Sequence, residues 1–111
     1  MAYTKSELFS PELQNCSTLF KALGHPARLA ILKYLAETKI CITGDLAEVI
    51  PLGRTTVNQH LKELKDAGLI KGTTEGVKTC YCLNMGNILE LKRMTEKFIN
   101  DINIPVNFDC K

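Results

Sequence analysis

The chain has 111 residues, of which 45% are hydrophobic and 23% charged, and its formal net charge is +2. This length supports one core, so we expect residues 1–111 to form a single domain with flexible tails at 1–9 and 104–111. No stretch approaches the ~18 apolar residues of a membrane helix, and the first ten residues lack the apolar block of a secretory signal. We therefore expect a cytoplasmic protein without a membrane partner. The small net charge alone makes no case for nucleic acid.

Turn residues and apolar spacing predict a mainly α chain with a small β-wing, in the order ααβααββα. Ser10 and Pro11 are typical of a helix N-cap and first helical position, while Gly24 and Gly68 are typical of helix ends. The short helix, tight turn and second helix over residues 43–67 match a helix-turn-helix, and the hairpin after it gives a winged helix. The predicted segments are helices at 11–23, 26–36, 54–67 and 87–102, a short third helix capped by Thr43, and strands at 39–42, 69–74 and 77–83.

The helix predicted at 54–67 carries a polar face suited to DNA. If its apolar residues Val57, Leu61 and Leu64 are buried, a turn of about 100° per residue places amides, a hydroxyl and a lysine opposite them. Such groups donate to phosphates and to base edges in the major groove. Any solvated helix has a polar face, but the first two turns here contain almost no acid, and a tight turn and a wing flank the helix. The predicted DNA-binding residues of this helix are Arg54, Thr55, Thr56, Asn58, Gln59, His60 and Lys62.

The predicted hairpin adds cations and hydroxyls around its tip at Gly76. Lys71, Thr73 and Lys78 flank the tip, where they can lie along the DNA backbone at the minor groove and add non-specific affinity. Ordinary solvated side chains on a surface hairpin account for these residues equally well.

Three segments together carry a family pattern: FKALGHPARLAIL at 20–32, DLA at 45–47 and TVNQHLKELKDAGLI at 56–70. Over about residues 18–83 the chain resembles the ArsR/SmtB family of small metal- and metalloid-responsive bacterial repressors. The resemblance implies a homodimeric winged helix that binds a palindromic operator and leaves it when an inducer binds. It also implies that the first and last helices form the dimer interface.

Apolar residues in the first and last helices independently favour a dimer. They recur at the three- and four-residue spacing of a helix–helix seam, and two such stripes exceed what one small core covers. The alternative is that both stripes pack within one subunit. The predicted interface residues are Leu13, Cys16, Phe20, Ile88, Leu91, Phe98 and Ile102.

The chain contains five cysteines, an odd number that argues against a closed disulfide framework, and cytosolic thiols stay mostly reduced. We therefore expect free thiols. Two effector sites of the resembled family are missing. The site on the last helix requires histidines, and no histidine follows His60. The Cys-x-Cys site before Asp45 has a single cysteine here, Cys41.

Strand parity predicts a different thiol site. If the short first strand pairs with the second wing strand, its cysteine and the two of the wing share one outward face, at separations of about 5 to 7 Å. Three thiolates at such separations favour a soft ion, and trivalent arsenic or antimony takes three sulfurs in a pyramid. The predicted ligands are Cys41, Cys80 and Cys82, with Cys110 as an additional candidate. Arsenite or antimonite is the predicted inducer, and no cofactor is expected to be needed for folding.

Several alternatives stay open. Zinc or another soft metal, or a reversible disulfide, can act as the signal on the same fold, and cysteines also serve as inert small hydrophobes. A thiol enzyme is disfavoured because the chain has no Cys-x-x-Cys and no cysteine with a histidine close in sequence, so we predict no enzymatic activity. A winged helix that binds proteins is a further alternative. His25 and His60 are expected to be structural or close to DNA.

Overall fold

The computed structural model describes residues 8–38, 42–43, 50–75 and 78–103. The predicted third helix falls mainly on residues 44–49, outside these ranges, as do most residues of the two predicted tails. The described order otherwise matches the prediction of helices followed by a hairpin and a last helix. The elements are α1 (Pro11–Leu23), α2 (Pro26–Thr38), β1 (Ile42–Thr43), α3 (Arg54–Asp66), β2 (Ile70–Glu75), β3 (Lys78–Leu83) and α4 (Met85–Asp101).

Capping groups set the helix ends. The Ser10 hydroxyl accepts a hydrogen bond from the Leu13 amide at 3.2 Å, with Pro11 at the first helical position, as predicted. Helix α4 begins two residues earlier than predicted because Asn84 acts as its cap, its side-chain oxygen accepting from the Asn87 amide. None of the helices within the described ranges is long and apolar enough to cross a membrane.

The core lies where α2 and α3 pack against the sheet. Ile31 and Leu35 of α2 and Leu64 of α3 are almost fully buried, together with Leu69 in the connection to β2. The predicted inner face of α3 is confirmed, because Val57 and Leu61 are buried as well. One side of α3 is thereby fixed to the core, and the opposite side is left for solvent or a partner.

The three strands form one antiparallel sheet with β3 in the centre. Ile42 pairs with Tyr81 in the β1–β3 register, which confirms the predicted pairing of the short first strand with the second wing strand. β1 covers Ile42–Thr43, whereas the strand was expected at 39–42, and residues 39–41 lie outside the described ranges. Both wing strands are shifted by one residue from their expected starts.

Helices α1 and α4 contact each other through an aromatic pair and an ion pair. The rings of Phe20 and Phe98 meet edge to face at 5.6 Å, and Lys97 Nζ lies 2.9 Å from a Glu12 carboxylate oxygen. Hydrogen bonds to Glu12 and Asp101 raise the pKa of Lys97. These contacts hold the two helices side by side, as the resemblance requires of a shared dimer face.

The predicted interface residues divide into two groups. Cys16 is buried, and Ile88 and Leu91 are half-buried against the core, like the Phe20–Phe98 pair between the helices. Leu13 and Ile102 are 49% and 56% exposed, although both are large apolar residues. Packing within one subunit therefore covers part of the apolar residues of the first and last helices. That a second subunit covers the exposed ones, Leu13 and Ile102, stays a prediction.

Gly68 ends α3 in a conformation that other residues rarely adopt. Its φ is +80°, and a Cβ built there would lie 2.9 Å from Asn87 Nδ2, the atom that donates to the Gly68 carbonyl. We expect Gly68→Ala to lower the free energy of unfolding by about 1 to 3 kcal/mol, because it adds left-handed strain and displaces Asn87.

Gly86→Ala is the matched control for this substitution. Gly86 lies in the first turn of α4, and a Cβ there meets only Asn84 Oδ1 at 3.8 Å. We expect this substitution to be neutral or stabilising by up to about 1 kcal/mol, because alanine is the better helix former. Urea unfolding of both variants measures the difference, and equal stabilities would contradict the assignment of strain at Gly68.

Candidate nucleic-acid interface and cysteine site

The first feature of this interface is the N-terminus of helix α3. Gly53 precedes it in extended conformation and supplies no side-chain cap, and the first turn contains no acidic residue. The first amides of a helix have no partner within the helix, and they carry the positive end of the helix dipole. Such an end attracts anionic oxygens, including those of a phosphate backbone.

The polar face of α3 lies opposite the buried side, as predicted. Lys62 forms an ion pair with Asp66 at 3.2 Å, and both side chains are well exposed. An exposed pair of this kind contributes little stability, so Lys62 can exchange Asp66 for a phosphate at small cost. The predicted DNA-binding residues that the structure places on the exposed surface of α3 are Arg54, Thr55, Thr56, Asn58, Gln59 and Lys62.

His60 is the exception to the predicted set. It was expected on a flank of the helix, either among the DNA-binding residues or in a structural role, and only 8% of it is exposed, while its Nδ1 accepts a hydrogen bond from Arg28 Nε at 3.1 Å. Its ring also lies 4.2 Å from that of His25. These contacts with α2 and the preceding turn bury the ring, so the structure agrees with the structural alternative for His60 and does not place its ring among the exposed DNA-binding residues.

The structure describes the side chains of two of the three predicted DNA-binding residues of the wing. Lys71 and Thr73 are exposed on β2, whereas Lys78 begins β3 with its side chain outside the described part of the chain. Lys71 pairs with Cys82 and Thr73 with Cys80. Directly paired residues of antiparallel strands point to the same side, so the candidate wing contacts and the two cysteines share one face of the sheet.

The cysteines of this face differ in chemical state. Cys82 is a half-buried free thiol, as the buried Cys16 of α1 is a free thiol. Cys80 is disulfide-bonded, with a partner outside the described residues. The expectation that all five cysteines are free thiols is therefore wrong for Cys80. An odd count guarantees one unpaired cysteine within a chain, but it does not forbid a pair.

The structure describes only part of the predicted three-cysteine site. Cys41 and Cys110 lie outside the described residues, so the structure places Cys80 and Cys82 of the predicted set. Within the described ranges, no three His, Cys, Asp or Glu side chains are grouped as metal ligands.

Short connections join the cysteine face to α3. The Leu69 amide donates to the Leu64 carbonyl at the end of α3, and the Asn84 amide after β3 donates to the Leu69 carbonyl, both at 3.0 Å. Ile70 at the start of β2 is buried in the same core as Leu64. Packed and hydrogen-bonded groups thus connect the sheet directly to the end of α3.

Arg28 is a residue that sequence reasoning missed. It lies within the segment GHPAR that carried the family pattern, but no spacing rule connects it with His60, 32 positions further along the chain. Its Nη1 also donates to the carbonyls of Lys21 and Ala22 at the end of α1, at 3.3 and 3.2 Å. The side chain of Arg28 therefore touches both α1 and α3.

Comparisons with known proteins agree with this architecture. A family described as "Helix-turn-helix domain" matches residues 23–73. The arsenical resistance operon repressor of Bacillus subtilis strain 168 is 39% identical over 85 residues, which is 76% of this chain and 76% of that protein. The chain belongs to the ArsR/SmtB family of winged-helix transcriptional repressors.

A second curated repressor and a solved structure cover the same region. The transcriptional repressor SmtB of Mycobacterium tuberculosis H37Rv is 35% identical over 71 residues, 64% of this chain and 52% of that protein. An ArsR-like regulator from Rhodococcus sp. RHA1 has the same fold, with a TM-score of 0.66 at 21% identity over 83% of this chain and 86% of that one. The relatives are transcriptional regulators, and this ArsR/SmtB protein is accordingly a regulator rather than an enzyme.

Proposed function

We propose that this ArsR/SmtB repressor binds operator DNA in the cytoplasm as a homodimer, and that trivalent arsenic or antimony bound by cysteine thiolates releases it. The observation that carries the proposal is the common face of Cys80 and Cys82 on the central strand, beside the wing and next to α3. The arsenical resistance repressor of B. subtilis, at 39% identity, supports a metalloid as the inducer.

In this proposal α3 enters the major groove with its N-terminal turns. Asn58 and Gln59 pair with base edges, preferentially adenine, while Arg54, Thr55, Thr56 and Lys62 contact phosphates or bases. Lys71 and Thr73 of the wing, together with Lys78, follow the backbone of the adjoining minor groove. The exposed polar face and acid-free first turn of α3 support this arrangement.

The proposed inducer site consists of Cys41, Cys80 and Cys82, with Cys110 as an additional candidate. Ile42, the neighbour of Cys41 in the chain, pairs with Tyr81, which separates Cys80 from Cys82. The three thiols, once reduced, react with one As(OH)₃ to give three As–S bonds and three water molecules. Zinc is the alternative ion. Because zinc takes four ligands, it would also need Cys110 or a water molecule as the fourth ligand.

A reversible disulfide is the second candidate signal, and the disulfide at Cys80 favours it. In that case a peroxide takes two electrons and two protons from a pair of thiols, which form one S–S bond while the peroxide becomes two water molecules. Oxidation then replaces metalloid binding as the event that alters the sheet.

Either event acts on DNA binding through geometry. The cysteine face continues through β2 and Leu69 into the end of α3, so a shift of the sheet moves the two DNA-reading helices of a dimer relative to each other. Half-sites repeat at about 34 Å, and a displacement of a few ångströms loses the register with the groove. The coupling between DNA and inducer that this requires is modest, about 1 to 3 kcal/mol.

Operator release titrated with arsenite, antimonite, zinc and peroxide tests the proposal. For the reduced protein we expect arsenite to weaken operator binding about 5- to 150-fold, the usual range of allosteric coupling. The double variant Cys80→Ser/Cys82→Ser is expected to bind the operator normally and to ignore arsenite. Cys16→Ala is the control for loss of a thiol outside the sheet: Cys16 lies in α1, at the predicted dimer face, so its variant should keep the same fold change on adding arsenite even where its operator affinity without arsenite is lower.

The pattern of responses separates the candidate signals. Release by peroxide alone, lost in the Cys80→Ser variant, selects the disulfide mechanism. Release by arsenite that persists in the double serine variant would overturn the cysteine site on the sheet.

A further inference from the structure

The two histidines of the chain meet in one place. They are 35 positions apart in the chain, yet the ring centroids of His25 and His60 lie 4.2 Å apart in a tilted arrangement. His25 lies in the turn between α1 and α2, where its Nδ1 accepts a hydrogen bond from the Ala27 amide at 3.0 Å. Both histidines of the chain therefore lie where α1, α2 and α3 come together.

Arg28 joins this pair to both neighbouring helices. One part of its guanidinium donates to the Lys21 and Ala22 carbonyls that end α1, and its Nε donates to His60 Nδ1 on the inner side of α3. α1 is the helix of the proposed dimer face, and α3 is the helix of the proposed DNA face. The Arg28 side chain thus links the C-terminal end of α1 to the inner side of α3.

We propose that Arg28 and His60 are positioning residues that hold the DNA-reading helix at a fixed place relative to α1, and that protonation of His60 releases this hold. Neutral His60 offers an Nδ1 lone pair to Arg28 Nε. A proton on Nδ1 removes the acceptor and places a second positive charge beside the guanidinium.

The surroundings of His60 favour its neutral form. Burial, followed by the charges of His25 and Arg28, lowers its pKa below the usual 6.5, and Glu63 on the same helix opposes this in part. The groups of α1 that reach this cluster are the backbone carbonyls of Lys21 and Ala22, which accept hydrogen bonds from Arg28. Because the pKa is lower in the folded state than in the unfolded state, the stability that the neutral ring provides is complete above pH 6.5. It is lost as the pH falls from 6.5 through the folded-state pKa.

The inference rests on the proposed operator binding, and the test compares three proteins at pH 7.5 and pH 5.5. We expect the original protein to lose about tenfold in operator affinity at the lower pH, the order expected when a hydrogen bond to a charged group is broken. His60→Asn keeps an acceptor oxygen near the Nδ1 position and does not titrate, so its operator affinity, whatever its level at pH 7.5, should change less than about twofold between the two pH values. The Arg28→Met variant should bind the operator weakly at both pH values.

The sign of the pH effect on operator affinity distinguishes release of α3 by His60 protonation from the general effect of added positive charge. Histidine protonation adds positive charge, which by itself strengthens phosphate binding, whereas release of α3 weakens it. An operator affinity that rises on acidification, or a His60→Asn variant with the same pH profile as the original protein, would overturn the proposal.

A second measurement keeps the two proposals separable. The free energy of unfolding of the original protein should fall between pH 6.5 and 5.5, and that of His60→Asn should fall less. If no operator binding is found at pH 7.5, the proposed function fails. The comparison of unfolding free energies then still decides whether His60 acts as the titrating group.

Discussion

Replacing Gln59 and Lys62 of α3 with alanine is expected to abolish specific operator binding. Both residues are exposed on the face opposite Val57, Leu61 and Leu64, so neither supports the core. Each base contact discriminates by about 1 to 3 kcal/mol, and a dimer loses each contact twice, so we expect at least about a hundredfold loss of affinity. Fluorescence anisotropy with operator DNA measures it.

The control for this double variant removes the same charge elsewhere. Lys33 is exposed on α2, outside the proposed DNA face, and Lys33→Ala should leave operator affinity within about twofold because a distant exposed charge is screened by salt. Normal operator binding by the Gln59/Lys62 variant would refute the assignment of α3 as the reading helix.

Salt dependence tests the class of partner as well as the residue. Each lost phosphate contact reduces the slope of log affinity against log salt by about 0.9, so losing Lys62 from both subunits reduces it by about 2. Binding that is unchanged at high salt would instead favour the alternative of a winged helix that recognises a protein.

The parts of the fold that sequence reasoning predicted depend on local periodicity. The inner face of α3 follows from apolar residues at 57, 61 and 64, and its outer face follows from helix geometry alone. The face shared by Cys80 and Cys82 likewise follows from strand alternation, because residues two apart in a strand point to the same side. In both cases the signal lies within a few consecutive residues. The pairing of β1 with β3 instead follows from the winged-helix plan, in which these two strands commonly pair.

The features that were missed depend on contacts between distant residues. On a helical wheel His60 lies close to Leu64, but its burial requires Arg28 to supply a hydrogen bond to a ring that would otherwise lose water. Sequence spacing does not connect residues 28 and 60. The earlier start of α4 has a simpler reason, because the Asn84 side chain caps the helix and apolar periodicity does not indicate a cap.

The state of Cys80 illustrates a different limit. Strand alternation correctly places Cys80 and Cys82 on one face, since they pair with Thr73 and Lys71 of the same strand. Oxidation state depends on the partner thiol and on the surrounding redox potential, and neither is encoded in the alternation. The thiol face was therefore predictable, whereas the disulfide at Cys80 was not.

Introducing charge on the outer faces of α1 and α4 is expected to convert the proposed dimer into monomers. Leu13 and Ile102 are about half-exposed in the single chain, so Leu13→Glu/Ile102→Glu leaves the core intact. In a dimer the same carboxylates would be buried without partners, which costs several kcal/mol. Sedimentation velocity should show the monomer.

The same double variant should also lose operator binding, although its α3 is untouched. A monomer contacts one half-site, and an ArsR/SmtB operator is expected to contain two, so affinity should fall at least about a hundredfold, since mismatched or missing base pairs cost about 1 to 3 kcal/mol each. Leu29→Glu is the matched control because Leu29 of α2 is 48% exposed, like Leu13, and lies outside the proposed interface. A double variant that stays dimeric, or a Leu29→Glu variant that dissociates, would place the dimer interface away from α1 and α4.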